Sequence, residues 1–345
     1  TLLYGPGDVR VEELAYPQIT EPTDAVVKVT LACVCGSDLW DFKDSATLEV
    51  GRPRGHEFIG IVESVGAQVK NVAVGDLVVA PFVASCGICD RCTQGHFTSC
   101  RKIGFFGHGG EAGGQSEAVR VPQADGTLVK LPVAQDSDLM PSLLTLSDVM
   151  CTGHHAAVTA KVQPRETVVV IGDGAVGLCA VIAAKRLGAG RIILLGRHTE
   201  RTNLGREFGA TDVVAERGEA AIAAVKELTN GDLAPRVLEC VGTQDAIDTA
   251  LGVVADFGVI GRVGAAQYQK IDFADIDLDV PRLMEEALRA GVERIVYTSS
   301  VATIDPSTGT AADERATRSN CTTTAVAEPS LTRSPAISPS SCCMV

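Results

Sequence analysis

The sequence has no excess of basic residues. Thirty Lys and Arg face 43 Asp and Glu, a formal net charge of −13. Phosphate backbones are held by basic patches, so a general nucleic-acid binder is excluded. A local basic pocket for a phosphorylated cofactor is not. No apolar run reaches the ~18 residues of a membrane-spanning helix, and no membrane partner is expected. The opening stretch "TLLYGPGDVR" has no basic region followed by an apolar core, so no secretory signal is visible. It starts on Thr1 rather than Met, and a trimmed N-terminus is expected. A cytoplasmic, reducing setting is expected too. Internal repeats are absent.

What the 12 cysteines lack is even spacing. A disulfide-rich secreted domain is short and spreads its cysteines along the chain. Here four fall within "SCGICDRCTQGHFTSC", Ser85 to Cys100, and the other eight scatter. The remaining composition, 46% hydrophobic and 21% charged, is an ordinary globular balance. A chain of 345 residues is long enough for two domains with sizeable cores.

Residues 1–149 read as mostly β. "DAVVKVTLACVCG" and "IGIVESVGAQVKNVAVGDLVVAPFV" alternate apolar and polar residues, punctuated by glycines and Pro81. From about Thr152 the texture changes. "ETVVVIGDGAVGLCAVIAAKRLGAGRIILLG" reads as strand, glycine turn, helix and second strand. "RTNLGREFGATDVVAE" and "RVLECVGTQDAIDTALGVVADFGVIGRVG" continue the alternation. Strand and helix in alternation imply right-handed crossovers and a parallel sheet, an α/β fold over residues 150–300. Residues 301–345 contain no aromatic residue and are rich in Ser, Thr and Pro. Such a tail buries too little apolar surface to offset its ordering entropy, and disorder is expected.

Gly172, Gly174 and Gly177 stand in G-x-G-x-x-G spacing, after the strand "TVVVI" and at the start of a helix. That context makes the motif a dinucleotide fingerprint. The first glycine permits the tight turn, the second lets backbone approach the pyrophosphate, and the third lets helix and strand pack. The helix N-terminus offers free N–H groups and a positive dipole end. An NAD site places Asp or Glu at the end of the second strand, to hold the ribose hydroxyls. Here that position is Gly196, followed by Arg197, His198 and Arg201. Glycine leaves room, and an arginine fork suits a 2′-phosphate. The reading is NADP over NAD; the plainer alternative makes Arg197 a solvated surface residue.

Cys86, Cys89, Cys92 and Cys100 form C-x2-C-x2-C-x7-C. Redox use would predict one isolated C-x-x-C pair. Four thiolates in one loop instead close a tetrahedron around Zn²⁺, with no open position, so this metal is structural. A working zinc needs three protein ligands and a vacancy. Cys35 in "CVCGSDLW" and His56 in "GHEF" are candidates, although singly each also reads as a buried thiol or a core histidine.

The order of motifs is more specific than any one of them. "GHEFIGIVESVGAQVKNVAVGDLVV", the cysteine loop, "LSDVMCTGHHAAV" and the glycine fingerprint together resemble the zinc-dependent medium-chain alcohol dehydrogenase family, over about residues 1–266. The resemblance implies a GroES-like β catalytic domain, a Rossmann domain and a cleft between them. It implies that Cys35, His56 and Asp148 hold a catalytic zinc, with acidic Glu57 behind it. Cys151, three residues past Asp148, does not match the motif position. Two zincs per chain are thus implied. The cofactor contacts run through Ala175 and Val176 and on to Val241, Gly242 and Val263. The implied reaction moves a hydride between NADP(H) and a primary or secondary alcohol, aldehyde or ketone, the alcohol oxygen resting on the catalytic zinc. Ser37 matches the hydroxyl that relays the proton. Many relatives have a His three residues later; here it is Trp40, read as a pocket wall. Asp38 braces the same loop, and His108 receives no role. The family implies a homodimer or homotetramer.

After about Gly264 the pattern changes. Residues 280–303 resemble a fragment of extended short-chain dehydrogenases and epimerases. Their Tyr-x-x-x-Lys pair is missing, since Val301 stands four residues after Tyr297, so Ser299 and Ser300 receive no role. An alternative reading follows: a zinc- and NADP-binding protein without turnover. A zinc-free quinone-reductase-like enzyme is a third, and it would have no use for Cys35, His56 and Asp148.

Overall fold

Alternating apolar residues build the first sheet. The computed structural model describes residues 1–43, 50–107 and 112–265. His108, the segment at 280–303, the rest of the expected Rossmann domain and the tail lie outside the described residues. Ala25–Ala32 (β1), Phe58–Val65 (β2), Leu77–Ala80 (β3), Ala118–Val121 (β4) and Val129–Lys130 (β5) pair antiparallel in the order β5-β3-β2-β1-β4. Strand residues point alternately to opposite faces. Phe58 and Val62 therefore join Val27, Val78, Val119 and Phe106 on one side. Ile59 joins Leu77, Val79, Leu131 and Met140 on the other. Burial on both faces holds the sheet between two cores. Between β1 and β2 lies a short helix, Asp38–Lys43 (α1). Between β3 and β4 runs the cysteine loop, with the helical turn Asp90–Thr93 (α2). Its ends are tied where Val83–Ala84 pairs with Gly104–Phe105.

Helix Val149–Thr159 (α3) leads into the second half. There Thr167–Ile171 (β6), Arg191–Leu195 (β7), Asp212–Val214 (β8), Ala234–Glu239 (β9) and Val254–Arg262 (β10) form a parallel sheet in the order β8-β7-β6-β9-β10. Ala175–Arg186 (α4), Thr199–Phe208 (α5), Gly218–Leu228 (α6) and Gln244–Val253 (α7) alternate with the strands. The run "TVVVI" of β6 is buried on both faces. Val168 and Val170 pack with Ala156 of α3, with Ala160 just past its end, and with Leu178 and Val181 of α4. Val169 and Ile171 pack with Ala221 and Val225 of α6 and Ala246 and Ala250 of α7. Each such valine contributes about 1.5–3 kcal/mol through burial.

Two features of this sheet position the site. The chain leaves β6 on one side for β7 and β8, then returns to β9 on the other, opening a crevice at the strands' C-terminal ends. And α3 crosses α4 at backbone contact: a Cβ on Gly153 would lie 2.6 Å from the Ala180 nitrogen. The first residues of α3 are thereby held against the parallel sheet's helical layer. No described helix is long and apolar enough to cross a membrane.

Candidate metal centres and dinucleotide cleft

The four clustered cysteines converge. The Sγ atoms of Cys86, Cys89, Cys92 and Cys100 all lie within 4.8 Å of one another, and none is in a disulfide. Cys89 and Cys92 sulfurs are 3.5 Å apart, as are those of Cys86 and Cys100. A disulfide needs about 2.05 Å. Thiolates about 2.3 Å from a tetrahedral zinc stand about 3.8 Å apart. The spacing fits the metal and not the bond. Backbone N–H groups of Cys86 and Lys102 donate to the Cys100 sulfur at 3.2 and 3.3 Å. The N–H groups of Arg101 and Cys92 draw the Cys89 thiol down to about 6, while burial pushes Cys92 up to about 12. One thiol ionises readily and its neighbour resists, a conflict that a cation among them would resolve.

The second cluster is assembled from three places in the chain. Cys35 follows β1, His56 and Glu57 precede β2, and Asp148 precedes α3. Ligand atoms of Cys35, His56 and Glu57 lie within 4.8 Å of one another. Asp148 Oδ2 lies 3.4 Å from His56 Nε2 and 4.0 Å from Cys35 Sγ. An Asp at a helix start usually caps it. Asp148 does not cap α3 with its side chain; Oδ1 accepts the Thr152 hydroxyl at 2.6 Å and Oδ2 faces the cluster. Burial alone would depress the His56 pKa, but the Asp148 carboxylate and Cys35 hold it up at about 10. The same anionic surroundings suit a divalent cation. Glu57 is buried, and burial raises its pKa. Its Oε2 accepts the Cys33 thiol at 2.9 Å, while Oε1 has no partner among the described residues. An orphaned carboxylate oxygen beside a thiol and an imidazole again fits a metal.

The surroundings of this cluster are built to orient it. Asp38 Oδ2 accepts the Cys35 N–H at 3.0 Å and the Gln115 amide at 3.2 Å. Asp38 Oδ1 stands 3.7 Å from His56 Nδ1, the nitrogen turned away from Asp148. A carboxylate there orients a metal-binding imidazole. Buried Arg54 ties the arrangement down, reaching Asp41 at 2.7 Å and Asp38 at 3.5 Å. The Ser37 hydroxyl is half-buried and has no hydrogen-bond partner among the described residues. Trp40 sits half-buried on α1. Cys151 is exposed, and its thiol donates to the Leu146 carbonyl at 3.3 Å.

At the crevice, the glycines differ in what surrounds them. Gly172 follows β6 at φ +112°, in the region that favours glycine. A Cβ on Gly177 would lie 1.9 Å from the Gly172 oxygen, so only glycine lets α4 seat there. A Cβ on Gly174 would meet nothing within 4 Å. That open space lies at the N-terminus of α4, which Ala175 and Val176 begin; the N–H groups of a helix's first turn have no partner within the helix. Across the crevice, the N–H groups of Val241 and Gly242 donate to Glu239 Oε1 at 2.7 Å each. The Val263 N–H reaches the Glu239 carbonyl at 2.9 Å. After β7, Arg197, His198 and Arg201 are all exposed. Motif reading passed over Asp173, which lies between the first two glycines. A Cβ on Gly196 would lie 2.4 Å from the Asp173 Cβ. Its carboxylate accepts the His198 N–H at 2.8 Å. An acid inside a phosphate-binding loop was the signal that could have found it.

The geometry defines a class: a dinucleotide-binding α/β sheet joined to a β-rich half that carries one closed cysteine cluster and one mixed Cys-His-carboxylate cluster. Comparison narrows it. A family model described as alcohol dehydrogenase GroES-like domain matches residues 21–133, and one described as zinc-binding dehydrogenase matches residues 175–305. The second match runs beyond residue 266, further than the motifs alone indicate. The chain is 37% identical over 270 residues to zinc-type alcohol dehydrogenase B of Aspergillus flavus, covering 76% of this chain and 62% of that protein. It is 36% identical over 272 residues to the medium chain reductase/dehydrogenase ucsI of Acremonium sp, covering 76% and 92%. The solved structure of alcohol dehydrogenase TADH from Thermus sp. ATN1 matches at 33% identity and TM-score 0.71, over 78% of each chain. The chain belongs to the zinc-dependent medium-chain alcohol dehydrogenase family, with its GroES-like and Rossmann folds.

Proposed function

We propose that this protein is a zinc-dependent, NADP-preferring oxidoreductase. It moves a hydride between NADP(H) and a primary or secondary alcohol, or the matching aldehyde or ketone. The observation that carries the reading is the meeting of Cys35, His56 and Asp148 around one small volume. With these three as ligands and Glu57 behind them, tied to the Cys33 thiol, a fourth position stays open, as a catalytic zinc requires. Zinc held there supplies Lewis acidity toward the substrate oxygen. Asp38 keeps the His56 ring in register. The Ser37 hydroxyl, with no hydrogen-bond partner among the described residues, is placed in sequence to take on the substrate's hydroxyl proton. With Trp40 where relatives carry histidine, that proton passes on to water, and Trp40 walls the substrate pocket. Gly174 and the start of α4 take the pyrophosphate. Past Gly196, Arg197, His198 and Arg201 serve as the donors for a 2′-phosphate. The four-cysteine loop holds a second, structural zinc. Residues 1–149 act as the catalytic domain and 150–300 as the cofactor domain, in a cytoplasmic homodimer or homotetramer.

Metal counting and cofactor assays test this directly. Purified protein should carry about two zinc ions per chain and oxidise NADPH when given an aldehyde or ketone. NADPH binding without turnover across a broad carbonyl panel would favour a non-catalytic role. A chain with one zinc or none, in which Cys35→Ala matches wild type, would refute the proposal.

A further inference from the structure

The end of β7 is not simply vacant. In NAD-binding sheets the strand itself ends on an acid that accepts the ribose hydroxyls. Here the residue that follows the strand is Gly196, and a carboxylate arrives from a different loop. A Cβ on Gly196 would lie 2.4 Å from the Asp173 Cβ and 2.9 Å from Asp173 Oδ2. Glycine at 196 is therefore required by Asp173 as much as by any ligand. A bare carboxylate in this place would repel a 2′-phosphate and oppose the NADP reading.

This carboxylate is not bare. Oδ2 accepts the His198 N–H at 2.8 Å, and the two oxygens stand 3.0 and 2.9 Å from His198 Nδ1. Arg201 Nη1 lies 4.0 Å from Oδ1. The Asp173 side chain is only 9% exposed, against 49% for His198 and 56% for Arg201. The anion lies beneath and the donors lie outside it. With Nδ1 engaged, Nε2 is the nitrogen His198 has left to offer a ligand. Burial alone would raise the Asp173 pKa, and its bonds to His198 outweigh this and lower it.

We propose that Asp173 is a positioning residue for cofactor choice: from inside the glycine loop it fills the space beside Gly196 and clamps His198 and Arg201 as the donors for the adenosine 2′-phosphate. The inference rests on the NADP reading above. It goes further in assigning the discrimination to a buried acid rather than to the absence of one. The carboxylate acts through its neighbours. Without it, His198 and Arg201 lose their common anchor.

The test uses the full-length, zinc-loaded protein and two substrate-independent probes. Adenosine 2′,5′-bisphosphate carries the 2′-phosphate and 5′-ADP does not. Asp173→Asn should weaken the bisphosphate and NADPH by roughly tenfold, on the scale of one charge-assisted contact, and 5′-ADP and NADH by less than about threefold. Equal loss of both probes would mark a merely structural role and overturn the proposal. So would tighter binding of the bisphosphate, which would make Asp173 a repelling group. If Asp173→Asn does not fold, His198→Asn and Arg201→Gln provide the same comparison, and each should lose the bisphosphate selectively; equal loss of both probes there overturns the clamp. Wild-type preference for NADH would refute the NADP reading. The ratio measured for the variant would still judge Asp173: a shift against the 2′-phosphate supports the clamp, and an unchanged or opposite shift removes it.

Discussion

Replacing Gly177 and Gly174 separately with alanine should split folding from cofactor binding. At Gly177 the new methyl would lie 1.9 Å from the Gly172 carbonyl oxygen. A comfortable carbon–oxygen contact is about 3.3 Å, so one of them must retreat by about 1.4 Å. The obstacle is backbone in a tight turn at φ +112°, not a flexible side chain. The cost therefore falls at the upper end for overpacking, about 3 kcal/mol. At about 2.1 cal/mol/K of unfolding entropy per residue, a chain of 345 residues then melts roughly 4 °C lower. At Gly174 the backbone, φ −76° and ψ 178°, accepts alanine, and the methyl enters open space. Its stability should stay within about 1 kcal/mol of wild type. That space is where a pyrophosphate must approach, so NADPH affinity should fall by at least about tenfold, or about 1.4 kcal/mol. Thermal melting of the zinc-loaded protein and a fluorescence titration with NADPH read both effects. The reasoning fails if Gly177→Ala melts like wild type, or if folded Gly174→Ala binds NADPH like wild type.

The two metal clusters should respond differently to single substitutions. Cys89→Ser should remove about one zinc per chain and lower the melting temperature; Cys35→Ser should remove the other and abolish turnover with far less effect on melting. Retention of full zinc by either variant would contradict its assignment. Asp148→Asn should lower turnover sharply, whereas Cys151→Ser, whose thiol faces the Leu146 carbonyl, should leave turnover and zinc content unchanged. A proton linkage is expected at Asp24, which is buried and bonded to Arg120 at 2.8 Å and to the Glu21 N–H at 2.8 Å. Burial would raise its pKa, but Arg120 and the Glu21 N–H bring it below 3.8. A depressed acid stabilises the fold above its unfolded value of 3.8, and that stability is lost as pH falls through the folded value. Asp24→Asn should cost about 2 kcal/mol at neutral pH and flatten the acid limb of a denaturation-versus-pH series. An unchanged acid limb would rule the linkage out.

The amino-acid sequence by itself determined the features whose parts are close along the chain. Four cysteines inside one loop need only local turns to meet, so their spacing already specified a closed cluster. The glycine fingerprint is likewise local: turn, helix start and tight packing all fall within Gly172 to Gly177. The strands of both sheets were readable because side-chain alternation and fully apolar runs follow directly from which faces are buried. Family resemblance pointed to Cys35, His56 and Asp148, but no spacing rule joins residues 113 positions apart. Their meeting depends on β1 and β2 pairing, and on α3 lying against α4 where Gly153 permits backbone contact. Asp173 was hidden for the same reason. It stands 25 residues from His198, on a different loop, and only the parallel pairing of β6 with β7 brings the two loops together. Local geometry is written in spacing; contacts between elements exist only after packing has chosen which faces meet.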